Sequence, residues 1–209
     1  MKSISIVGGG PAALLLASFL DESKYRVTIY EKNKTVGRKF LVAGDGGFNL
    51  THAESIEEMV LRYTPFRFLK DALLEFSNTD LINWLNEIGI PTFIGSSKRV
   101  YPTKDIKPIE VLNAILNLLK EKGVEIKCNK KWLGWTADND LSFEDDTRAK
   151  SDYVVFSLGG GSWKVTGSDG AWAELLGESG VKVKAFEPAN CAYQVNWDEK
   201  FINKFGGSP

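Results

Sequence analysis

An apolar run of strand length, Ile4 to Val7, meets Gly8-Gly9-Gly10 and passes at once into a helix-forming run, Pro11 to Leu20. Few chain designs tolerate three successive glycines between a strand and a helix. The arrangement reads as the strand–turn–helix that opens a dinucleotide-binding βαβ unit, with the pattern G-x-G-x-x-A. Gly8 permits the tight turn, Gly10 lets the backbone approach a pyrophosphate, and Ala13 lets helix and strand pack closely. Pro11 suits the first helical turn, where no N–H partner is lost. The unpaired N–H groups of that turn, Ala12 included, would face the phosphates together with the positive end of the helix dipole.

Glycine-rich loops recur by chance, so the flanking sequence decides. A second strand is expected at Arg26–Tyr30, and it ends in Glu31, 23 residues after Gly8. That spacing suits a carboxylate that accepts hydrogen bonds from ribose hydroxyls. Lys32 follows it directly. A glycine-dense stretch, Gly37 to His52, reads as neither strand nor helix; Arg38 and Lys39, near its start, could neutralise a pyrophosphate. Alternatively, they are solvated surface charge.

Bulk properties narrow the field. A net charge of −1 gives no global pull toward nucleic acid or anionic membrane. Cys128 and Cys191 lie far apart, and the single histidine, His52, cannot build a His-rich metal site. Both cysteines read as reduced residues of a cytoplasmic protein. The apolar Pro11–Leu20 run is too short to span a bilayer.

Further along, 53–106 reads as a helical insertion. Ser55 to Glu58 is a capping box, Thr64-Pro65 opens a second helix, and Asn78 or Thr79 caps a third that stops at Gly89. Residues 90–101 read as irregular chain. Pro108–Lys122 has an apolar stripe at helical spacing, and Val124–Cys128 is the next strand. Lys131–Trp135 and Leu141–Phe143 read as strands of a small antiparallel meander. Asp152–Leu158 is a buried parallel strand ending at Gly159-Gly160, the strand end where open α/β sheets bind ligands. A helix is expected at Ala171–Leu176 and a half-buried strand at Cys191–Trp197.

Three segments together resemble a known family: Gly8 to Ala13 with Glu31; Gly37-Arg38-Lys39; and Ala43-Gly44-Asp45-Gly46-Gly47-Phe48-Asn49-Leu50-Thr51-His52. Gly-Ser-Asp-Gly at 167–170 and Lys98 to Pro102 add to the likeness. The chain is similar to the BaiN/YhiN-type flavoproteins, NAD(P)/FAD-dependent oxidoreductases also labelled aminoacetone-oxidase-like. Their third segment usually reads Ser-Gly-Gly-Gly-Arg-Cys-Asn-x-Thr-Asn; Ala43, Asp45, Gly47, Phe48 and His52 depart from it here.

The resemblance implies an α/β fold: a glutathione-reductase-type, FAD-binding Rossmann-like domain with a β-meander. That domain would comprise 1–52 and 107–189, with the helical insertion between and the start of a β-rich substrate domain at 190–209. It also implies FAD as cofactor and NAD(P)H as electron donor. Glu31 would bind the ribose, Arg38 and Lys39 would lie near the phosphates, and Asn49–Thr51 would approach the flavin ring; Gly44 reads as backbone pressed against the ligand or folded into a tight turn. The backbone near Trp132 would face adenine, and Gly159-Gly160 would pass close to the cofactor. Family members are considerably longer, so the chain reads as the N-terminal portion of one. The expected activity is reduction of a small organic substrate such as an enone or a steroid-like alkene. No catalytic acid or base stands out; His52, Lys98 and Tyr101 are candidates. The other readings are a nucleotide-binding module without turnover and an NAD-dependent Rossmann dehydrogenase.

Overall fold

The computed structural model describes residues 1–42, 48–187 and 195–206. Its centre is a four-stranded parallel sheet. β1 (Lys2–Val7) lies between β10 (Tyr153–Phe156) and β2 (Tyr25–Tyr30), and β6 (Glu125–Lys127) forms the edge beyond β2. The register places Ile6 beside both Ile29 and Val155. A carboxylate fastens the long-range pairing of β1 with β10. Asp152 Oδ2 accepts from Ser3 N–H and Ser3 Oγ, each at 2.7 Å.

Alternation along these strands sorts the core into two layers, because successive side chains point to opposite faces. Ile4, Ile6, Val27 and Ile29 face the helices α1 (Pro11–Phe19) and α6 (Pro108–Glu121), which contribute Ala13, Leu14, Ala17, Val111, Ile115 and Leu119. Val7 and Tyr30 face the other way, onto Trp132, Leu141 and Phe143. Those three belong to the antiparallel meander β7 (Trp132–Trp135), β8 (Leu141–Phe143) and β9 (Arg148–Ala149). Small Ala13 and Ala17, both fully buried, bring α1 close to the sheet. The fold class expected from the sequence is therefore present: mixed α/β with a parallel Rossmann-like sheet and a meander on one face.

Several local expectations need correction. The stretch after Gly37 is not devoid of regular structure: α2 (Arg38–Leu41) and β3 (Thr51–His52) lie within it. Residues 90–101 are not irregular. β4 (Thr92–Ile94) and β5 (Arg99–Pro102) form a hairpin, and β3 pairs with β5 to complete a three-stranded antiparallel sheet. These strands are too short for a period of two to show in the sequence. The insertion's helices are α3 (Ile56–Leu61), α4 (Phe66–Glu75) and α5 (Asn78–Glu87). Ser77 caps α5, not Asn78 or Thr79; its Oγ accepts from Asp80 N–H while Asp80 returns a bond to Ser77 N–H. Asn78 instead turns inward, and its Nδ2 donates to the carbonyls of His52 and Glu54.

Beyond β10 come a short 3₁₀ turn (Lys164–Thr166), α7 (Trp172–Glu178) and α8 (Glu199–Phe205). Of the strand expected at Cys191–Trp197, residues 191–194 lie outside the described residues, and 195–197 form no strand.

Candidate functional site

The carboxyl ends of β1, β2 and β10 open onto one crevice, with about 980 Å³ of free space counting the solvent at its mouth. Its floor is the glycine turn. Gly8 has φ +102°, and a Cβ there would stand 2.3 Å from the Ser157 carbonyl oxygen. A side chain at Gly9 would meet Val36 Cγ1 at 2.5 Å and Glu31 Oε2 at 3.0 Å. At Gly10 a Cβ would meet nothing within 4 Å. Gly8 and Gly9 are thus required by packing, whereas Gly10 borders open space. Gly10 caps α1 with no side-chain bond, so the first-turn N–H groups are free of a side-chain partner.

Glu31 stands at the crevice edge and is buried. Its Oε2 accepts from Gly9 N–H at 2.7 Å. Its Oε1 accepts from Asn33 N–H at 2.8 Å and from Asn33 Nδ2 at 2.5 Å. Gly37, with φ +69°, donates its N–H to the Gly9 carbonyl and so ties the start of α2 to the glycine turn.

Three cations reach from this wall toward the segment after β10. Lys32 Nζ pairs with Asp169 Oδ2 at 2.8 Å, Lys39 Nζ donates to Ser162 Oγ at 2.8 Å, and Arg38 donates to the Val165 carbonyl and to Asn33 Oδ1. Burial opposes ionisation of Asp169, but the Lys32 hydrogen bond and the Ala171 N–H outweigh it and keep its pKa below the usual value. Opposite, Gly159 has φ +74°, and its carbonyl accepts from Trp172 Nε1. Trp132 forms part of the wall; its Nε1 is buried with no hydrogen-bond partner.

Of the residues singled out in the sequence, the crevice brings together Gly8, Gly10, Pro11, Glu31, Lys32, Arg38, Lys39, Trp132 and Gly159. Ala12 sits exposed in the first turn of α1 beside it. Gly160 is not in the lining; its carbonyl accepts from Ser168 Oγ. Asn49, Leu50 and Thr51 are not among the residues that line the crevice. Leu50 N–H bonds the Val100 carbonyl and Thr51 pairs with Val100, so β5 holds this stretch. Leu50 lines a separate apolar pocket between α1, α5 and α6. Gly44 lies outside the described residues. Gly37, and Gly167, Ser168 and Asp169 of the Gly-Ser-Asp-Gly run, which carry part of the family likeness, also line it. Sequence reasoning assigned no role to Asn33; an Asn just past a strand end is a turn signal.

A second polar cluster contains the single histidine. Buried Glu54 accepts from Arg62 Nε at 2.6 Å and lies 3.3 Å from His52 Nδ1. The Arg62 hydrogen bond, with the Arg62 and His52 charges added, overcomes burial and lowers the Glu54 pKa. His52 Nε2 lies 3.1 Å from the Ser97 carbonyl. This cluster is occupied with its own partners. Lys98 has φ +59° and Tyr101 stacks on Phe93; neither lines the crevice.

The chain is 26% identical over 196 residues to a 3-dehydro-bile acid delta(4,6)-reductase of Clostridium scindens, covering 90% of this chain and 46% of that protein. It is 36% identical over 85 residues to a ribosomal RNA dihydrouridine synthase of Haemophilus influenzae, covering 41% of this chain and 21% of that one. The chain thus spans less than half the length of these curated relatives. In fold it resembles Thermovibrio ammonificans THI4 (TM-score 0.54, 16% identity, 87% of this chain and 64% of that one). It also resembles a 3-ketosteroid-delta4-(5alpha)-dehydrogenase of Rhodococcus jostii (TM-score 0.54, 13% identity, 76% and 46%). The family described as HI0933-like protein Rossmann domain matches residues 2–192, and the chain belongs to it.

Proposed function

We propose that this chain is the FAD-binding part of an FAD-dependent oxidoreductase, and that the crevice above Gly8–Gly10 holds the adenosine diphosphate portion of the cofactor. The observation that carries this reading is the pairing of two features in one crevice. A helix N-terminus lies above a glycine turn, and a buried carboxylate stands one strand away. The residues present fit such a group. Gly10 leaves open space where any side chain would intrude, and Trp132 Nε1 is a buried donor without a partner, which native structures seldom leave.

In this reading the first-turn N–H groups of α1 receive the diphosphate. Arg38 and Lys39 now hold only neutral oxygens across the crevice, and they exchange those for phosphate oxygens. Glu31 accepts from the ribose. When bound, the flavin supplies the hydride or electron chemistry, while the protein binds, orients and shields. Residues 1–52 and 107–189 form the cofactor-binding unit, and 53–106 are inserted between its halves. NADPH or NADH is the electron donor. The names of the two curated relatives share one chemistry, saturation of a carbon–carbon double bond. One relative acts on a bile acid and the other on ribosomal RNA; we assign the substrate here to the first kind, a small organic molecule with a double bond next to a carbonyl.

The test is an absorbance spectrum and an equilibrium titration of the purified chain. Flavin absorbance that follows the protein, is displaced by ADP, and bleaches with NADPH or NADH under anaerobic conditions is the expected result. ADP binding without flavin retention would indicate a nucleotide-binding module; tight NAD binding with no affinity for FAD would indicate a dehydrogenase.

A further inference from the structure

We infer that Asn33 is a positioning residue: its side-chain amide sets the direction in which Glu31 presents its one remaining acceptor to the ribose, and couples that carboxylate to Arg38. This rests on the dinucleotide reading above. A carboxylate offers about four acceptor sites. Asn33 fills both of those on Oε1, one through its backbone N–H and one through Nδ2, and Gly9 N–H fills one on Oε2. What is left is a single site on Oε2. The last torsion of a glutamate is broad and roughly two-fold; the backbone N–H groups of Gly9 and Asn33 hold one oxygen each, and the Asn33 amide adds the third bond that narrows the direction of the open site. Asn33 Nδ2 is the only side-chain brace on Glu31 among the described residues.

The amide can lie only one way. Nδ2 faces the Glu31 carboxylate while Oδ1 accepts from Arg38 at 3.2 Å. A flipped amide would set oxygen against carboxylate and N–H against guanidinium, two repulsive contacts in place of two attractive ones. The far wall encloses the group as well. Gly167 has φ +90°, and a Cβ there would come within 2.9 Å of Nδ2. Asn33 is thus the point at which the acid aimed at the sugar, the cation near the phosphates and the segment after β10 meet.

The experiment compares the binding of ADP and 2′,3′-dideoxy-ADP by calorimetry, in the wild type and in two variants. Dideoxy-ADP keeps the phosphates and the base but has no ribose hydroxyls. The wild type should prefer ADP. Asn33→Ala should lose about tenfold in ADP affinity, the weight of a hydrogen bond to a charged group, and its preference for ADP over the dideoxy compound should shrink at least about threefold. Asn33→Asp keeps the side-chain shape but sets a second carboxylate against Glu31, so its preference should collapse further; it supplies the same readout if the alanine variant does not fold. Equal weakening of both ligands, or an undiminished preference in a folded variant, would overturn the inference and leave Asn33 a structural residue. A wild type that binds ADP and dideoxy-ADP equally would show instead that Glu31 does not grip the ribose, and both the inference and that part of the dinucleotide reading would fail.

Discussion

Single atoms decide what this crevice tolerates. Gly8 is held at φ +102° with a carbonyl oxygen where its Cβ would be. Gly8→Ala therefore combines backbone strain with a clash against β10, and thermal unfolding should show a loss of about 2 kcal/mol or more. Gly10→Ala meets no such obstacle in the protein itself. It should leave stability nearly unchanged while lowering ADP affinity, because the new methyl enters the open crevice. Asn78 is a different kind of residue. Its amide satisfies two backbone carbonyls, those of His52 and Glu54. Asn78→Ala should cost about 2 kcal/mol by leaving them unpaired, with no change in nucleotide affinity.

Among the elements, one connection places cations at the crevice and another anchors the helical insertion. The first runs from α2 and the end of β2 to the segment after β10, through Lys32–Asp169, Lys39–Ser162 and Arg38–Val165. These contacts are partly exposed, so each adds little stability; their weight lies in where they hold positive charge. If those cations meet a diphosphate, ADP affinity should fall several-fold between low and physiological salt. In Lys39→Gln both the affinity and its salt slope should drop. The second connection is the Glu54–Arg62 pair, which ties β3 to the end of α3. The Glu54 pKa lies below its ordinary 4.5 in the folded state. Its contribution is therefore complete above about pH 4.5 and is lost as pH falls through the lowered value. Glu54→Gln should be less stable near neutrality and should show a flatter decline with acid, measured by denaturant unfolding at several pH values.

For the molecule as a whole, the central strand is completed late in the chain. β1 begins at Lys2, yet its partner β10 begins at Tyr153, and the Ser3–Asp152 clip joins residues 149 apart. A chain shortened to end at Lys150 would leave β1 an unpaired edge with its apolar face half covered, so it should lose cooperative unfolding and aggregate. Among the described residues no helix is long and apolar enough to cross a membrane.

How far the sequence went depended on the range of the interactions. β1, α1, β2, α6 and the meander were legible because their patterns are local: period two, period 3.6, and glycine where the chain must turn. So were Gly8, Gly10 and Glu31, whose spacing along one βαβ unit is itself the signal. The hairpin β4–β5 was not legible, since three- and four-residue strands carry too short a period. Nor was the pairing of Thr51 with Val100, made across 49 residues of chain. Gly9, Asn33 and Asp169 matter only because distant segments converge on them: Val36 packs on Gly9, Gly167 closes on Asn33, and Lys32 reaches Asp169. Composition and spacing chose the fold and its turn. Contacts between residues far apart in the chain decided which side chains surround that turn and which way they point.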